Sequence, residues 1–584
     1  MTPGRRGRRD RGIDLAVTGL LAFALLGPVL LRRGFALRGD MVLVPRQPWK
    51  DAWLALDGSA PRFVPGDAIL SVATTVLPGD LLQKLLLLGA LLLAGAGAGR
   101  LVADRAIPGR VAAIVLFVWN PWVFERLSIG QWGSVVGYAA LPWVVSAAVS
   151  LRDDVRRGWP AVTLWLGFAA LWSPAAGLIG ALTAFCVVVV GPRPRRALLT
   201  LVAAGVVNLP WLLPSLLSSD RIASPGEQFE AFAARAESGA GLVASVVSLG
   251  GIWKASVVPG ERTVAVVVLL SCVTTVAALV SLWRGRSRRD DGERRTVAGL
   301  GLLALAAVAL TVLPALPGVT ALLDDAARHA PGLAVLRDGH RFLGPAVLLL
   351  LPGIAAAVDG LWARARAGTE ALRAVAALVA VLPVVCLPSM TWGLTGALRP
   401  VTYPDEWSGV ADTVEQDLHD RGGATVVLPW HGTYRGFAWN GRRAFLDPAP
   451  RFLPGEVLID DRIYLGERVL DNEDPRLAAV TSALEQQAPA SSLAGLGVAR
   501  VLVEKGNGVD PDDIPDGDVL HDGKLLTLVS VGVPEERTGL DGARRILVVG
   551  GDVAAVTALV IAGACIRRRQ VYGERAVRPG RGKA

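Results

Sequence analysis

The sequence predicts an α-helical polytopic membrane protein, with about twelve transmembrane helices and a small extracytoplasmic α/β domain. Of its 584 residues, 52% are hydrophobic and 19% are charged, whereas soluble domains carry roughly 25% charged residues. Long apolar runs recur from Ile13 to Ile566. The short gaps between these runs alternate in character: every second gap is rich in arginine, and the others hold a few acidic, histidine, glutamine and tryptophan residues.

The apolar runs are interpreted as membrane spans because a helix needs roughly 20 apolar residues to cross the hydrocarbon core. The third run is short, and the fifth and sixth are separated only by Ser173 and Pro174. No small-residue cleavage site follows the first run, which is therefore expected to be retained as a signal anchor. The predicted spans are 13–31, 81–99, 109–119, 134–150, 159–173, 175–191, 197–216, 263–283, 296–316, 342–362, 372–395 and 546–566.

Arginine placement predicts how the spans are oriented, because cytoplasmic loops carry an excess of arginine and lysine. With the basic residues Arg5 to Arg11 in the cytoplasm, the dense cluster Arg284 to Arg295 falls on the same side. This pattern predicts a multi-pass protein of the cell membrane with both termini in the cytoplasm. The predicted outer loops are 32–80, 120–133, 217–262, 317–341 and the large segment 396–544.

The net charge of +9 is explained by this topology, so no nucleic-acid partner is expected. Most arginines sit at the ends of apolar segments on the predicted cytoplasmic side, where they act as orientation signals. Arginines on the outer side are expected to reach toward lipid headgroups, which makes membrane lipids partners of the protein. These outer arginines at span ends are Arg32, Arg33, Arg544 and Arg545.

The segment 396–544 has the composition of a soluble domain. Residues 424–428 and 499–503 are strand-like, Pro475 to Gln487 is predicted helical, and a hairpin is expected over 519–529. Alternating strands and helices indicate an α/β fold. The predicted domains are the transmembrane domain 1–395, the extracytoplasmic α/β domain 396–544, and a last transmembrane helix with a basic cytoplasmic tail, 545–584.

The first predicted outer loop carries an isolated acid close to the membrane surface. Asp40 lies a few residues beyond the first span, between Arg38 and Arg46. A carboxylate in this position could act as a general base toward a sugar hydroxyl, and the two arginines could bind a phosphate. The alternative is that Asp40 is an ordinary solvated loop residue.

The second predicted outer loop contains three polar side chains in an otherwise apolar hairpin. Its tryptophans are explained as interfacial anchors. Glu125, Arg126 and Gln131 are not explained in this way, because polar groups at this depth need partners or a water-filled cavity. We therefore expect these three residues to contribute to a substrate-binding site.

The fourth predicted outer loop ends with a cluster of polar residues directly before an apolar helix. Two arginines and a histidine at a membrane surface could form a clamp for a phosphate or diphosphate. The alternative is that these residues only anchor the start of the helix. The cluster consists of Arg337, Asp338, His340 and Arg341.

In the soluble segment, Trp430 and His431 follow a predicted strand and could stack on a sugar, with a packed loop as the alternative. Motifs of nucleotide-binding loops, nucleophile elbows and zinc proteases are absent from the sequence. The four cysteines fall inside apolar segments, which favours buried thiols over disulfides. The isolated acids do not form a clear metal cage, so no metal site is predicted, and a divalent cation stays an open alternative.

Three stretches carry a resemblance to a known superfamily. Asn120 to Val144, Val207 to Leu217 and Leu336 to Phe342 resemble segments of the GT-C membrane glycosyltransferases, in particular actinobacterial arabinofuranosyltransferase-like and YfhO-like membrane proteins. The order of a first helix, an outer loop with an early aspartate, many further spans and an extracytoplasmic domain is also similar. The resemblance covers residues 13–395 and is weaker over 396–544.

This resemblance implies an activity. Such enzymes move a sugar from a polyprenyl-phosphate donor to a cell-envelope glycan or glycolipid acceptor on the extracytoplasmic face. Asp40 matches by position the general base of the first loop, and Arg337 or Arg341 would stabilise the leaving phosphate. A second acid often follows the first in related enzymes, whereas the stretch Arg38, Gly39, Asp40 contains only one.

Two other functions stay open at this point. One is transport or flipping of a lipid-linked glycan intermediate, and the other is a non-catalytic scaffold in the envelope. Transporters usually carry polar residues in broken helices near the centre of the bilayer. The spans of this protein are nearly free of charge, and the polar clusters lie on the predicted outer side. This distribution favours chemistry at the membrane surface.

Overall fold

Helices make up most of the protein. The computed structural model describes residues 3–58, 61–217, 228–329, 331–365, 370–465, 468–470, 475–535 and 541–576. The α-helices are α1 (Pro3–Leu31), α2 (Gly66–Thr74), α3 (Gly79–Leu101), α4 (Ile107–Val118), α5 (Pro121–Ser128), α6 (Trp132–Asp153), α7 (Val155–Ala170), α8 (Pro174–Val189), α9 (Ala197–Leu217), α10 (Gln228–Ala231), α11 (Gly241–Val247), α12 (Ala265–Arg284), α13 (Asp291–Val312), α14 (Pro317–His329), α15 (Val347–Ala365), α16 (Glu370–Cys386), α17 (Thr391–Gly396), α18 (Glu406–Arg421), α19 (Ala449–Phe452), α20 (Pro475–Glu485), α21 (Ala490–Gly495) and α22 (Gly542–Ala576).

Nine helices among the described residues are long and apolar enough to cross a membrane, or ten if the bent pair Glu370–Cys386 and Pro388–Gly396 counts as one span. The bend between the two parts of this pair is 66°. Each predicted span coincides with a helix. The predicted spans 159–173 and 175–191 correspond to α7 and α8, which have only 16 residues each and are shorter than the roughly 20 residues that a straight span needs.

A helix break explains why the third predicted span is short in the sequence. α4 ends at Val118 and α5 begins at Pro121, and together they form one span over Ile107–Ser128. The Asn120 side chain caps α5 by accepting a hydrogen bond from the Val123 N–H at 3.1 Å. Proline suits the first turn of a helix because no N–H is needed there. Glu125 and Arg126, which the sequence places in the predicted loop 120–133, therefore lie on the last turns of this span, and only residues 129–131 link it to α6.

The outside of the helical bundle is apolar. Leu198 of α9, Val266 of α12, Leu305 of α13 and Val560 of α22 are between 58% and 68% exposed. A soluble protein rarely exposes such a large apolar surface, whereas in a bilayer the lipid tails are as apolar as leucine side chains. This surface therefore faces lipid, and the chain is a multi-pass membrane protein.

Arginine-rich gaps meet at one end of the bundle. Arg110 forms an ion pair with Asp14 of α1. The Arg152 Nη1 donates to the Thr296 hydroxyl at 3.0 Å, and the Arg196 Nη1 donates to the Arg152 carbonyl at 2.6 Å. These contacts join segments that are all predicted to be cytoplasmic. The predicted outer loops meet each other at the opposite end of the bundle.

The segment after α17 forms a mixed sheet, as the strand and hairpin patterns predict. The strands of the segment are β1 (Ala424–Leu428), β2 (Tyr434–Arg435), β3 (Phe445–Leu446), β4 (Val457–Leu458), β5 (Ile463–Leu465), β6 (Arg468–Leu470), β7 (Val498–Glu504), β8 (Asp518–Asp522) and β9 (Leu526–Ser530). Five of them form the mixed sheet, in the order β4-β1-β7-β9-β8. β1 is parallel to β4 and β7, and β9 is antiparallel to β7 and β8.

The sheet domain shares a hydrophobic core with the helical bundle. Trp407, Phe445 and Leu502 of the domain are fully buried, and they belong to one cluster with Leu25 and Trp119 of the bundle. Burial of apolar surface is favourable by roughly 25 cal/mol per Å², so this cluster holds the domain on the bundle. A second cluster lies inside the domain, where α20 and α21 cover the sheet.

Polar contacts add to this docking along the first outer loop. Phe35 and Val401 exchange backbone hydrogen bonds of 2.7 and 2.9 Å. Further along the loop, the buried amino group of Lys50 donates to the Pro450 carbonyl at 2.7 Å. The loop and the domain are therefore joined at both ends of the stretch that carries Asp40.

Lys50 is expected to make stability depend on pH. Burial lowers the pKa of Lys50 from 10.5 to about 7, although the carboxylates of Asp67 and Glu456 raise it. Between about pH 7 and about pH 10 the unfolded chain therefore binds more protons than the folded one, and stability rises with pH. The contribution is at most about 1.4 kcal/mol per pH unit.

Thermal unfolding of the detergent-solubilised protein at about pH 7 and about pH 9 measures this effect. The midpoint should rise with pH in the wild type and in Lys524→Met, a matched loss of an exposed lysine. In Lys50→Met the rise should be smaller. An equal rise in all three proteins would show that folding does not lower the pKa of Lys50.

Candidate functional site

Two glycines let the first and second outer loops pack backbone against backbone. Gly39 has a φ of +52° and Gly130 a φ of +88°, a region that side chains with a Cβ rarely adopt. A Cβ on Gly39 would overlap the Ile129 carbonyl oxygen, and one on Gly130 would overlap that of Arg38. This close approach lets the Asp40 N–H donate to the Ile129 oxygen at 2.9 Å, which fixes Asp40 over the second loop.

The Asp40 carboxylate lies between the second loop and the sheet domain. The Tyr434 hydroxyl donates to Oδ1 at 2.6 Å, and the Gln131 Nε2 donates to Oδ2 at 3.3 Å. Burial and the charge of Asp40 raise the pKa of Tyr434, so the phenol keeps its proton and remains a donor. A carboxylate offers about four acceptor positions, and the half-buried Asp40 therefore has lone pairs left for a further hydroxyl.

Arg126 is the centre of a buried polar network behind Asp40. Its Nη1 donates to the Gln131 Oε1 at 2.7 Å, and its guanidinium forms a two-point ion pair with Asp338, at 2.6 and 3.0 Å. Burial raises the pKa of Asp338, but the charges of Arg126 and Arg341 lower it by a larger amount. The pKa of Asp338 therefore lies well below its usual range. Gln131 thus connects Asp40 to a permanently charged pair.

His340 and Glu125 extend this network, and both are fully buried. The Arg126 Nη2 lies 2.6 Å from the His340 Nδ1. A guanidinium only donates hydrogen bonds, so Nδ1 accepts and the ring proton is on Nε2, which lies 3.2 Å from the Glu125 Oε2. The Glu125 carboxyl group also interacts electrostatically with Glu237 and Arg262.

The third outer loop is tied to this network and brings a lysine to Asp40. Glu237 is held by a buried ion pair with Arg262. Further along the loop, the Lys254 Nζ lies 5.3 Å from the centre of the Tyr434 ring. Burial lowers the pKa of Lys254, whereas the neighbouring carboxylate of Asp40 raises it. A cation that the loop holds in place therefore faces the Asp40 carboxylate.

Arg341 is a second cation beside Asp40. Its Nη2 lies 3.4 Å from the Asp338 Oδ2, and it interacts electrostatically with Asp40 and with the like charge of Arg337. Its buried Nε has no hydrogen-bond partner within the described part of the chain. Arg341 therefore keeps donor capacity for an anion that would enter the site.

Arg38 and Arg337 lie at the edge of this site and have partners of their own. The Arg38 Nε donates to the Ser128 carbonyl at 2.8 Å, so this arginine mainly joins the first and second loops. The Arg337 guanidinium lies 5.0 Å over the Phe232 ring, in a cation–π contact with the third loop. Both arginines therefore add positive charge near Asp40 while they hold neighbouring loops.

Three predicted substrate-binding residues lie elsewhere in the described structure. Arg46 lines a separate cleft between the first outer loop and the sheet domain. Trp430 packs against the hydrophobic cluster inside the domain. His431 is exposed, and its ring centre lies 4.2 Å from that of Tyr464. The roles predicted for them, phosphate binding by Arg46 and sugar stacking by Trp430 and His431, stay predictions, and none of the three contacts the Asp40 carboxylate in the described structure.

Tyr434 and Lys254 are residues of the site that the sequence patterns do not select. The loop after β1 is selected, but Tyr434 is the residue of this loop that reaches Asp40. Tyr434 reaches Asp40 because of strand pairing. It is opposite Leu446 in the β2–β3 ladder, and the Leu446 N–H donates to the Gly39 carbonyl at 2.8 Å. Lys254 gives a weak signal because lysines in exposed loops are common.

The described residues contain no group of three or more His, Cys, Asp or Glu side chains that could hold a metal ion. The carboxylates of the site face cations and hydroxyl groups instead. Asp338 is paired with Arg126, and Asp40 accepts from Tyr434. The site as the protein builds it therefore offers partners to an anion and to a hydroxyl group.

Comparison with known proteins identifies the fold. No family model matches the chain, and no curated protein matches it. The cryo-EM structure of the arabinofuranosyltransferase AftD from mycobacteria matches 90% of this chain with a TM-score of 0.57 and 16% identity. A structure of a mutant of the same enzyme also matches 90% of it, with a TM-score of 0.53 and 17% identity. The chain spans 40% and 42% of the length of those two chains.

The similarity shows that this chain has a fold like that of part of AftD. At the level of the fold, it confirms the resemblance to arabinofuranosyltransferase-like membrane proteins that the sequence predicts. At 16% and 17% identity, the similarity defines the fold, and the chemistry has to be argued from the residues around Asp40.

Loss of Asp338 is expected to destabilise the protein strongly. Asp338→Asn leaves the Arg126 guanidinium buried without its counter-charge, which costs about 3–5 kcal/mol. The thermal midpoint of the solubilised variant should therefore fall well below that of the wild type. The double variant Arg126→Met with Asp338→Leu should recover part of the loss, because the fully buried guanidinium is removed together with its counter-charge and only the partly exposed Arg341 loses a partner.

Asp104→Asn is the control for this measurement, because Asp104 is exposed at the opposite end of the bundle. Its midpoint should equal that of the wild type. If Asp338→Asn melts at the same temperature as Asp104→Asn, the Arg126–Asp338 pair does not stabilise the fold.

Proposed function

We propose that this protein is a membrane glycosyltransferase that moves a sugar from a polyprenyl-phosphate donor to a cell-envelope glycan or glycolipid. The observation that carries the proposal is the position of Asp40, a carboxylate with lone pairs left for a hydroxyl and with the cations Lys254 and Arg341 beside it. The GT-C-like fold supports the same class of enzyme. In this proposal the end that carries Asp40 and the sheet domain is extracytoplasmic, and both termini are cytoplasmic.

The donor phosphate is proposed to bind to Lys254 and Arg341, with Arg337 adding positive charge. Lys254 and Arg341 come from different loops and both interact with Asp40. A phosphate among them would give the buried Nε of Arg341 an acceptor, which it lacks within the described residues. Arginine and lysine stabilise the charge that develops on a departing phosphate. The polyprenyl tail would lie along the apolar surface of the helices.

Asp40 is proposed to act as the general base. As the acceptor hydroxyl oxygen forms a bond to the anomeric carbon of the donor sugar, its proton passes to the Asp40 carboxylate. The bond between the anomeric carbon and the phosphate oxygen breaks, and the phosphate leaves with the electron pair. Attack from the side opposite the phosphate inverts the configuration at this carbon. Tyr434 and Gln131 hold the carboxylate in position during this step.

Asp40→Asn is expected to lower the rate of sugar transfer by about 100-fold or more, because general bases contribute factors of this size. A short-chain polyprenyl-phosphoryl arabinofuranose is the donor to test first, because the AftD structure is that of an arabinofuranosyltransferase. Transfer of labelled sugar to acceptors extracted from the envelope is measured in vitro. Envelope glycans of a deletion strain that carries each variant are profiled in parallel.

Asp104→Asn serves as the control, since it removes an exposed carboxylate at the other end of the bundle, and it should transfer sugar like the wild type. Wild-type rates and unchanged glycans with Asp40→Asn would exclude Asp40 as the base. Envelope glycans that do not change in the deletion strain, together with no transfer from any polyprenyl-phosphoryl pentose or hexose, would reject the proposed reaction.

Tyr434→Phe tests whether Tyr434 positions the base. The change removes only the hydroxyl that donates to Asp40 at 2.6 Å. A hydrogen bond to a charged group contributes about 1.5–3 kcal/mol, so kcat should fall about tenfold or more, while the KM for the donor and the thermal midpoint change little. Tyr464→Phe, which removes a hydroxyl bonded to Asp460, should leave kcat unchanged. Equal losses in both variants would contradict the positioning role.

A further inference from the structure

A large cleft separates the first outer loop from the sheet domain. Its volume is about 1120 Å³, at the upper end of the roughly 300–1,000 Å³ of small-molecule sites. Loop residues 45–67 form one wall, and α18 with residues 450–461 forms the other. The cleft is therefore large enough for several linked sugar units, and one wall belongs to the loop that carries Asp40.

Aromatic rings line this cleft. Trp49 is 51% exposed, and Trp53 and Phe63 lie half-buried on the same wall. Large aromatic side chains that stay exposed in a concave surface usually mark a binding site. A tryptophan ring offers a flat apolar face to the C–H groups of a sugar ring, while the sugar hydroxyls remain free for hydrogen bonds.

The cleft is acidic. Seven aspartate or glutamate side chains line it, against three basic ones. Four of the seven are paired with arginines: Asp461 with Arg62, Asp67 with Arg451, Asp51 with Arg545, and Glu456 with Arg476. The other three are Asp57, Asp412 and Glu415, and the other two basic residues are Arg46 and Lys50. Asp412 and Glu415 are exposed on α18 and face the cleft. Ionised carboxylates only accept hydrogen bonds, so the lining suits a ligand rich in hydroxyl groups and disfavours a phosphate or a polymer of uronic acids.

The rim of the cleft is close to Asp40. Four residues separate Asp40 from Pro45 at the rim, so even a fully extended chain keeps the two within about 18 Å. Arg451 connects the two places. It forms an ion pair with Asp67 of the cleft at 3.0 Å and interacts electrostatically with Asp40. An extended ligand in the cleft could therefore present one end to Asp40.

We infer that this cleft binds the acceptor as an extended neutral oligosaccharide, with Trp49 and Trp53 stacking on its sugar rings and the α18 carboxylates accepting its hydroxyl protons. The direction of the chain, with its growing end toward Asp40, rests on the proposed glycosyl transfer. The binding itself does not depend on catalysis, because Asp40 does not line the cleft.

Equilibrium binding to the full-length protein in lipid nanodiscs tests this inference. The probes are fluorescently labelled pentasaccharides of arabinose, mannose and galactose, which are neutral, and of galacturonic acid, which is anionic. At least one neutral probe should bind, and the anionic probe should bind at least about tenfold more weakly. Trp49→Ala should weaken the neutral probe about tenfold. Trp283→Ala should not, because Trp283 is 63% exposed on the opposite end of the bundle.

If Trp49→Ala melts at a lower temperature than the wild type, the double variant Asp412→Asn with Glu415→Gln is used in its place. It changes two exposed side chains and should weaken the neutral probe at least about threefold. The inference is overturned if no neutral probe binds, if the anionic probe binds equally well, or if the variants that fold bind like the wild type.

Asp40→Asn separates this inference from the proposed function, since it should bind the neutral probe with wild-type affinity while it loses transfer. Normal transfer by Asp40→Asn together with weakened binding by Trp49→Ala would reject the base and retain the cleft. Lost transfer by Asp40→Asn together with unchanged binding by Trp49→Ala would retain the base and reject the cleft.

Discussion

A buried guanidinium needs a counter-charge, and the end of the bundle that carries Asp40 is built around that requirement at Arg126. The side chain is fully buried, and an unpaired charge there would cost several kcal/mol. Asp338 supplies the opposite charge in a two-point pair, and Gln131 and His340 each accept one further hydrogen bond from the Nη atoms. Loops that are far apart in the chain must therefore meet at this point, which fixes the ends of the helices that carry them.

The candidate site depends on this arrangement and on the docked sheet domain together. Gln131 extends from the Arg126 pair to one oxygen of Asp40, and Tyr434 of the domain reaches the other. Because Trp407 and the helical bundle share one buried cluster, the domain cannot separate from the bundle without exposing apolar surface to water. The site is thus a junction between a membrane part and a soluble domain.

The charge distribution around Asp40 divides the junction in two. Lys254 and Arg341 lie on the side of the bundle and offer positive charge, whereas most of the charged side chains that line the cleft between the first loop and the domain are carboxylates. Such a division fits the proposal of two substrates of different chemistry, an anionic lipid-linked donor and a neutral hydroxyl-rich acceptor. The carboxylate that would take the proton lies between these two regions, close to both.

The spans, the grouping of the loops and the main strands can be predicted from the sequence alone, because hydrophobic length and charge are properties of short segments. The alternation of arginine-rich gaps also predicts that Arg126 and Asp338 lie on one face. Their partners, however, are set by tertiary packing. Tyr434 and Asp40 are 394 positions apart and meet because the β2–β3 ladder docks on the first loop, whereas Trp430 of the same segment turns into the domain core. No local pattern distinguishes these two aromatic residues, because the difference is made by packing against the bundle.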